Sequence, residues 1–364
     1  METRRNQGPM PAGAARRPAA RRTKRWLPLL LSLSIVAWPM AEATAATSSK
    51  TAASQVKKSK ATATNKVKKA KKGKSAKAAK RQQGSYRAAR PHQDAAPVVG
   101  ENLDLRSAAA LVMDQSTGEL LYAKNPDLAT PIASITKIMT AMVTLDAGLR
   151  LDEEIEINSE DLDRLKFTSS RLPLGTTLTR EELLHLALIA SENRAAAALS
   201  RAYPGGREAF VRAMNRKALQ LGMHHTHFVD GTGLSSSNRS TAADLARLVD
   251  VAYQHYPLIR DISTTGNYDV DVPGRKRMRH VAYVNTNALT RSKEWDIGVS
   301  KTGYINEAGH CLVMQAQIAG QKVVIVLLDS FGKMSRIGDA TRIKRWIENG
   351  SAARVANRPG KASV

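Results

Sequence analysis

The sequence predicts an α+β (mixed) domain over residues 97–352, in which an antiparallel β-sheet is flanked by a helical cluster. Three observations predict it. Apolar runs suited to strands stand at both ends of this stretch, at 108–123 and 295–328. Periodic, capped helical segments fill the middle, and no segment repeats internally.

The residues before 97 are different in kind. The chain of 364 residues has 56 Lys and Arg against 32 Asp and Glu, a net charge of +24. Residues 1–96 hold 23 of the basic and 3 of the acidic residues, which leaves the remainder nearly neutral at 33 against 29. A nucleic-acid or anionic-surface partner is therefore an inference about the front segment alone. Within it, Arg21-Arg22-Thr23-Lys24-Arg25 precedes an apolar stretch from Trp26 to Met40 and then Ala41-Glu42-Ala43-Thr44-Ala45-Ala46. That order is a secretory signal's, with cleavage expected near Ala43–Ala46, so residues 1–45 are read as a signal peptide. The apolar core is shorter than the ~20 residues of a membrane span and is interrupted by Pro28 and Pro39. An uncleaved anchor is the alternative. Residues 46–96 are rich in Ala, Lys, Ser and Thr, with almost no branched apolar side chains to bury. They are predicted to be a disordered basic linker. Export removes DNA as a partner, and an anionic wall polymer or lipid headgroup is the expected contact. Gly73-Lys74-Ser75 lacks the earlier glycine of a phosphate-binding loop.

In the body, Ala108–Met113, the turn Asp114–Gly118 and Glu119–Ala123 read as a β-hairpin. Ser134 to Asp146 has Ile138, Met139, Met142, Val143 and Leu145 on one face and stops at Gly148, as a helix does. Thr179 with Glu182 forms a capping box that opens the next helix. Further helices are expected at 194–203, 207–221 and 241–254. Strands follow at 295–304, 310–319 and 322–328, then a helix from Ser335 to Glu348 and a polar tail at 353–364. Cys311, the single cysteine, lies in an apolar run and is expected to be a small buried hydrophobe; no intrachain disulfide is possible. His224, His225 and His227 are read as a surface turn and not as a metal site, and Arg275–Arg279 as a solvated loop in preference to a nucleic-acid site, with an anionic glycan strand as its candidate contact.

Three short signals carry chemistry. Ser134-Ile135-Thr136-Lys137 opens a helix, Ser191-Glu192-Asn193 lies between two helices, and Lys301-Thr302-Gly303 lies on a late strand. Residues three apart on a helix share a face, so the Lys137 amine reaches the Ser134 hydroxyl. A serine hydroxyl becomes a nucleophile when a base takes its proton. A lysine is that base once desolvation or a second cation lowers its pKa, and the helix start and Lys301 both favour the uncharged amine. Each motif alone is common; the three in this order are specific.

The set resembles the motifs of the penicillin-binding proteins and class A β-lactamases. The similarity spans about residues 100–350 and is nearest to the low-molecular-weight D-alanyl-D-alanine endopeptidases. It is supported by Pro131-Ile132-Ala133-Ser134, Tyr203-Pro204-Gly205-Gly206, Lys301-Thr302-Gly303-Tyr304 and Gly309-His310-Cys311-Leu312-Val313. The resemblance implies a β-lactamase/transpeptidase-like fold, a periplasmic location and a peptidoglycan substrate, with β-lactams as covalent inhibitors and no metal or organic cofactor. It implies that Ser134 is the nucleophile, Lys137 its base and Ser191 a proton relay. Asn193, Lys301, Thr302, Gly303 and Tyr304 are then the substrate-binding set, with the backbone N–H groups of Ser134 and Tyr304 forming the oxyanion hole. A D-alanyl-D-alanine carboxypeptidase is the alternative, although such relatives typically add a C-terminal domain and an amphipathic helix not evident here. A β-lactamase ranks below, because none of Glu208, Asp230, Asp244, Asp250 and Glu294 sits in that enzyme's glutamate pattern. A wall-binding protein without turnover is the reading from a different class.

Overall fold

The computed structural model of the chain describes residues 97–332 and 334–350. The expected signal peptide, basic linker and C-terminal tail lie outside them. Strands β1 (Ser107–Asp114) and β2 (Leu120–Lys124) form the expected hairpin, and the Asp114 carboxylate accepts the Ser116 and Thr117 N–H groups in its turn. Strand β3 (Thr130–Pro131) leads through a 3₁₀ turn, Ala133–Ile135, into α1 (Thr136–Asp146). A small ladder of β4 (Glu154–Glu156) and β5 (Thr177–Thr179) precedes α2 (Arg180–Ile189). Thr179 and Glu182 cap α2 reciprocally, at 3.1 and 2.7 Å, as their spacing predicts.

Helices α3 (Asn193–Arg201) and α4 (Gly206–Gln220) follow. Strand β6 (Arg239–Ser240) pairs with β3 ahead of α5 (Ala242–His255) and α6 (Pro257–Thr264). A separate hairpin comes next, β7 (Asn267–Pro273) and β8 (Met278–Val284). The chain closes with β9 (Asp296–Ile305), β10 (Gly309–Ile318), β11 (Gln321–Ser330) and α7 (Ser335–Glu348).

The main sheet has the order β2-β1-β11-β10-β9, antiparallel throughout, which places β9 at an edge. Its strands alternate between two cores. Ala109, Leu111 and Met113 face the helices α1–α6, whereas Ala110 and Val112 face Ile343, Trp346 and Ile347 of α7. Burial on both faces explains why these strands read as nearly continuous apolar runs. Asp339 ties α7 to the sheet by accepting the Arg106 and Ser107 N–H groups and the Ser107 hydroxyl at 2.7–3.0 Å. Cys311 is fully buried, as expected.

Two segments depart from the sequence reading. Helix α6 starts at Pro257 directly after α5. The run Arg275–Arg279 is not a plain loop: residues 274–277 turn the β7–β8 hairpin, and Met278 and Arg279 are already in β8. Its alternation places Val270, Val272, Val281 and Tyr283 inward, a period-2 pattern that the charged tip obscures. His224 and His225 lie in a turn and His227 bridges to Arg239. Among the described residues no group of three or more ligating side chains gathers there or elsewhere.

Candidate active site

Ser134 sits in the 3₁₀ turn, two residues before α1, and Lys137 in the first turn of α1. Their spacing carries across the junction: Lys137 Nζ lies 2.8 Å from Ser134 Oγ. Ala133 holds φ +48°, a left-handed conformation costly for a side-chain residue, and its surroundings over-determine it. A Cβ on Gly233 would stand 2.0 Å from the Ala133 carbonyl oxygen. One on Gly303 would stand 2.9 Å from the Ile132 oxygen and 3.1 Å from Ser134 N. Two glycines thus let a loop and strand β9 close against the backbone around Ser134.

The Lys137 amine is fully buried, and burial lowers its pKa to about 8, against the opposing pull of the Asp230 and Glu192 carboxylates. It donates to three acceptors: Ser134 Oγ, Asn193 Oδ1 at 2.8 Å and the Thr232 carbonyl at 2.6 Å. The last comes from a loop that Asp230 builds. Asp230 Oδ1 accepts from Thr232 N, Thr232 Oγ1 and Gly233 N, and Oδ2 from Ser235 N. Asn238 donates to Thr136 Oγ1 and to the Asp230 carbonyl, and Thr140 donates to the Gly231 carbonyl, so the loop is fastened to α1. Sequence reasoning missed this role of Asp230, Thr232 and Asn238. The run Asp230-Gly231-Thr232-Gly233, an Asx-turn pattern, is the signal that marks it.

Ser191, Glu192 and Asn193 join α2 to α3. Ser191 has φ +60° and is partly exposed, with no side-chain hydrogen bond among the described residues. The Asn193 amide is engaged at both ends, its Nδ2 donating to Thr168 Oγ1 at 3.0 Å. Thr168 belongs to a strap over residues 163–168 organised by Asp163, and Lys166 in it pairs with Glu307 in the β9–β10 turn at 2.5 Å. Asn193 also lines a mostly apolar cavity of about 260 Å³ between this segment, α3 and α4. Ser134 and Lys137 do not line it.

On β9, Lys301 is buried and donates to the Thr302 carbonyl at 2.9 Å. Burial, followed by the nearby charges of Lys137 and Arg336, pushes its pKa well below the usual lysine value. Thr302 Oγ1 donates to Thr286 Oγ1 at 2.7 Å. Arg336 of α7 donates to the carbonyls of Gly303 and Cys311 at 3.0 and 3.1 Å, which fixes the strand from behind. Tyr304 is half exposed and stacks on His310, ring centroids 4.3 Å apart. Ser134, Lys137 and Asn193 are therefore in direct contact. Lys301 and Gly303 face them from β9, Ser191 adjoins through the chain, and Tyr304 sits at the rim.

Such a site, a hydroxyl beside a desolvated amine with an edge strand opposite, is suited to acyl transfer. The sequence profile of the D-alanyl-D-alanine carboxypeptidase family matches residues 93–332. The chain is 49% identical over 256 residues to a D-alanyl-D-alanine endopeptidase of Pseudomonas aeruginosa, covering 69% of this chain and 80% of that one. It is 43% identical over 268 residues to an Escherichia coli protein of the same name, covering 72% and 83%. Among solved structures, the Streptomyces K15 DD-transpeptidase superposes with a TM-score of 0.62 at 30% identity, over 66% of this chain and 97% of that one. A D-alanyl-D-alanine carboxypeptidase from Mycobacterium tuberculosis gives 0.61 at 26% identity, over 74% and 99%.

Proposed function

The chain belongs to the D-alanyl-D-alanine carboxypeptidase family, and from that premise we propose that it is a peptidoglycan D-alanyl-D-alanine endopeptidase acting through a Ser134 acyl-enzyme. The observation that carries the chemistry is the buried Lys137 amine 2.8 Å from Ser134 Oγ. The endopeptidase reading, in preference to carboxypeptidase, follows the names of the relatives at 49% and 43% identity.

The two protonation states of Lys137 fit the same geometry. An ammonium has three N–H donors for three acceptors. The neutral amine keeps two, for Asn193 Oδ1 and the Thr232 carbonyl, and its lone pair then points at the Ser134 hydroxyl. Ser134 Oγ attacks the D-alanyl carbonyl carbon as its proton passes to Lys137. The N–H groups of Ser134 and Tyr304 take the oxyanion. Collapse breaks the C–N bond, and the departing amine receives a proton relayed through Ser191. Water, activated by the regenerated base, then cleaves the ester. The extended peptide pairs with the free edge of β9, with Thr302 and Lys301 toward a substrate carboxylate. The family also implies covalent trapping by β-lactams at Ser134.

The test has two stages. Fluorescent penicillin is expected to label the protein covalently, and Ser134→Ala to abolish the label; an unlabelled wild type refutes the acyl-enzyme. Crosslinked muropeptide dimers are then expected to yield monomers that keep their terminal D-alanine. Loss of terminal D-alanine alone reassigns the enzyme as a carboxypeptidase. Residues 1–45 are proposed to direct export to the periplasm and residues 46–96 to hold an anionic wall or membrane surface. N-terminal sequencing of the secreted protein is expected to begin near Ala43–Ala46.

A further inference from the structure

Among the described residues, the β7–β8 hairpin pairs with no other strand. Its inner residues Val270, Val272, Val281 and Tyr283 are buried, and it packs along α2. Its tip is a concentration of positive charge. Arg275, Lys276, Arg277 and Arg279 are all exposed within five positions. None of the four forms an ion pair with a carboxylate among the described residues. The nearest acids of the ladder are turned elsewhere: Asp271 and Asp269 both lie against His280, at 3.2 and 3.3 Å. In a body whose charges otherwise nearly cancel, this is a local field left uncompensated.

The base of the hairpin is fastened to the cleft. Arg171, close along the chain to the strap, donates to the Ala282 carbonyl at 2.7 Å and lies over the Tyr283 ring at 4.2 Å. Thr286, just past β8, donates its N–H to the Ile189 carbonyl, two residues from Ser191, and accepts from Thr302. The nine residue steps from Arg277 to Thr286 span at most roughly 30 Å when extended. The charged tip is therefore tethered through β8 within that span of the cleft.

We propose that this tip is a second binding surface for the polymeric substrate, where Arg275, Lys276, Arg277 and Arg279 engage carboxylates of the peptidoglycan mesh away from the bond cut at Ser134. The proposal rests on the peptidoglycan reading above. Carboxylates on a polymer fit better than a lipid surface. The tip offers one apolar side chain, Met278, and the outer face behind it carries Asp269 and Asp271, so no apolar face exists to enter a membrane. The device raises the local concentration of polymer and leaves the chemistry of a small substrate alone.

The test compares the full chain with its Arg275→Glu/Lys276→Glu/Arg277→Glu variant on four probes: penicillin, soluble muropeptide dimers, insoluble sacculi, and vesicles of phosphatidylglycerol and phosphatidylethanolamine. Penicillin acylation and dimer cleavage are expected to be unchanged. Retention on sacculi and their digestion are expected to fall roughly tenfold at low ionic strength, and less at high salt. Arg275→Lys/Arg277→Lys is expected to behave as wild type. Equal digestion of sacculi by the charge-reversed variant overturns the proposal, and so does a loss confined to vesicles. A parallel loss on dimers also overturns it, by showing that the tip acts on the site itself. A wild type inert on dimers and sacculi alike removes the peptidoglycan reading, and the proposal with it.

Discussion

The two walls of the cleft each bury a lysine, and they treat it differently. On the helical wall, Lys137 has three acceptors from three segments and feels two carboxylates. On the strand wall, Lys301 has one carbonyl and two neighbouring cations. Burial alone depresses both. The carboxylates oppose that shift at Lys137 and leave it at about 8, within reach of neutral pH, whereas at Lys301 burial and both neighbouring cations push the same way, downward. The first is thereby suited to its proposed part as proton acceptor. The second is suited to its proposed part as partner of a substrate carboxylate.

The largest expected effect breaks the helical wall. Lys137→Ala is expected to lower the rate of penicillin acylation by about 10²–10⁴-fold, read by single-turnover labelling. Retention of more than a tenth of the rate would mean that another group takes the Ser134 proton.

The next effect separates the glycines that hold the walls together. Gly303→Ala places a Cβ 2.9 Å from the Ile132 oxygen and 3.1 Å from Ser134 N and is expected to cost about 10²-fold in acylation with only a modest fall in melting temperature. Gly233→Ala meets the Ala133 carbonyl at 2.0 Å, at φ +79°, and is expected to lower the melting temperature by more. Equal behaviour of the two variants in both measurements would contradict this division.

A smaller effect sharpens the electrostatic difference. The reactive form of Lys137 is the free amine, so acylation is expected to rise with pH and level off above about 8. The Glu192 carboxylate favours the charged amine. Glu192→Gln keeps an oxygen for the Arg194 N–H at the start of α3 and is expected to move the midpoint of that rise to lower pH. A midpoint moving upward would reverse the assignment.

The smallest effect concerns Lys301. When a carboxylate-bearing β-lactam binds Ser134→Ala, its charge opposes the downward shift of the Lys301 pKa, so any proton exchange linked to binding is expected to be an uptake. Calorimetry in buffers of different ionisation enthalpy measures it. Net proton release on binding would contradict it.

These differences were unevenly legible in the sequence. Ser134, Lys137, Ser191, Asn193 and Lys301 could be proposed from sequence because side-chain identity at fixed spacing is what the proposed chemistry requires. The capping box at Thr179 and the sheet strands were legible for a similar reason, local pattern. The Thr232 carbonyl was not, because any residue supplies a carbonyl and only a loop folded by Asp230 aims this one. Nor was Arg336, which acts from α7 across the sheet edge on two backbone oxygens. The β7–β8 hairpin was hidden by its own charged tip, and α6 by its start immediately after another helix.

The three-way anchoring of one amine also makes the site a reporter. Residues 134–137, 193 and 232 come together only when α1, α3 and the loop at 229–238 are all in place. Partial opening of that loop removes an acceptor from Lys137 and frees its ammonium before the main sheet is disturbed. Covalent labelling by penicillin therefore counts molecules whose helical half is fully assembled. On gentle heating or in dilute denaturant, the label is expected to disappear ahead of the circular dichroism of the fold.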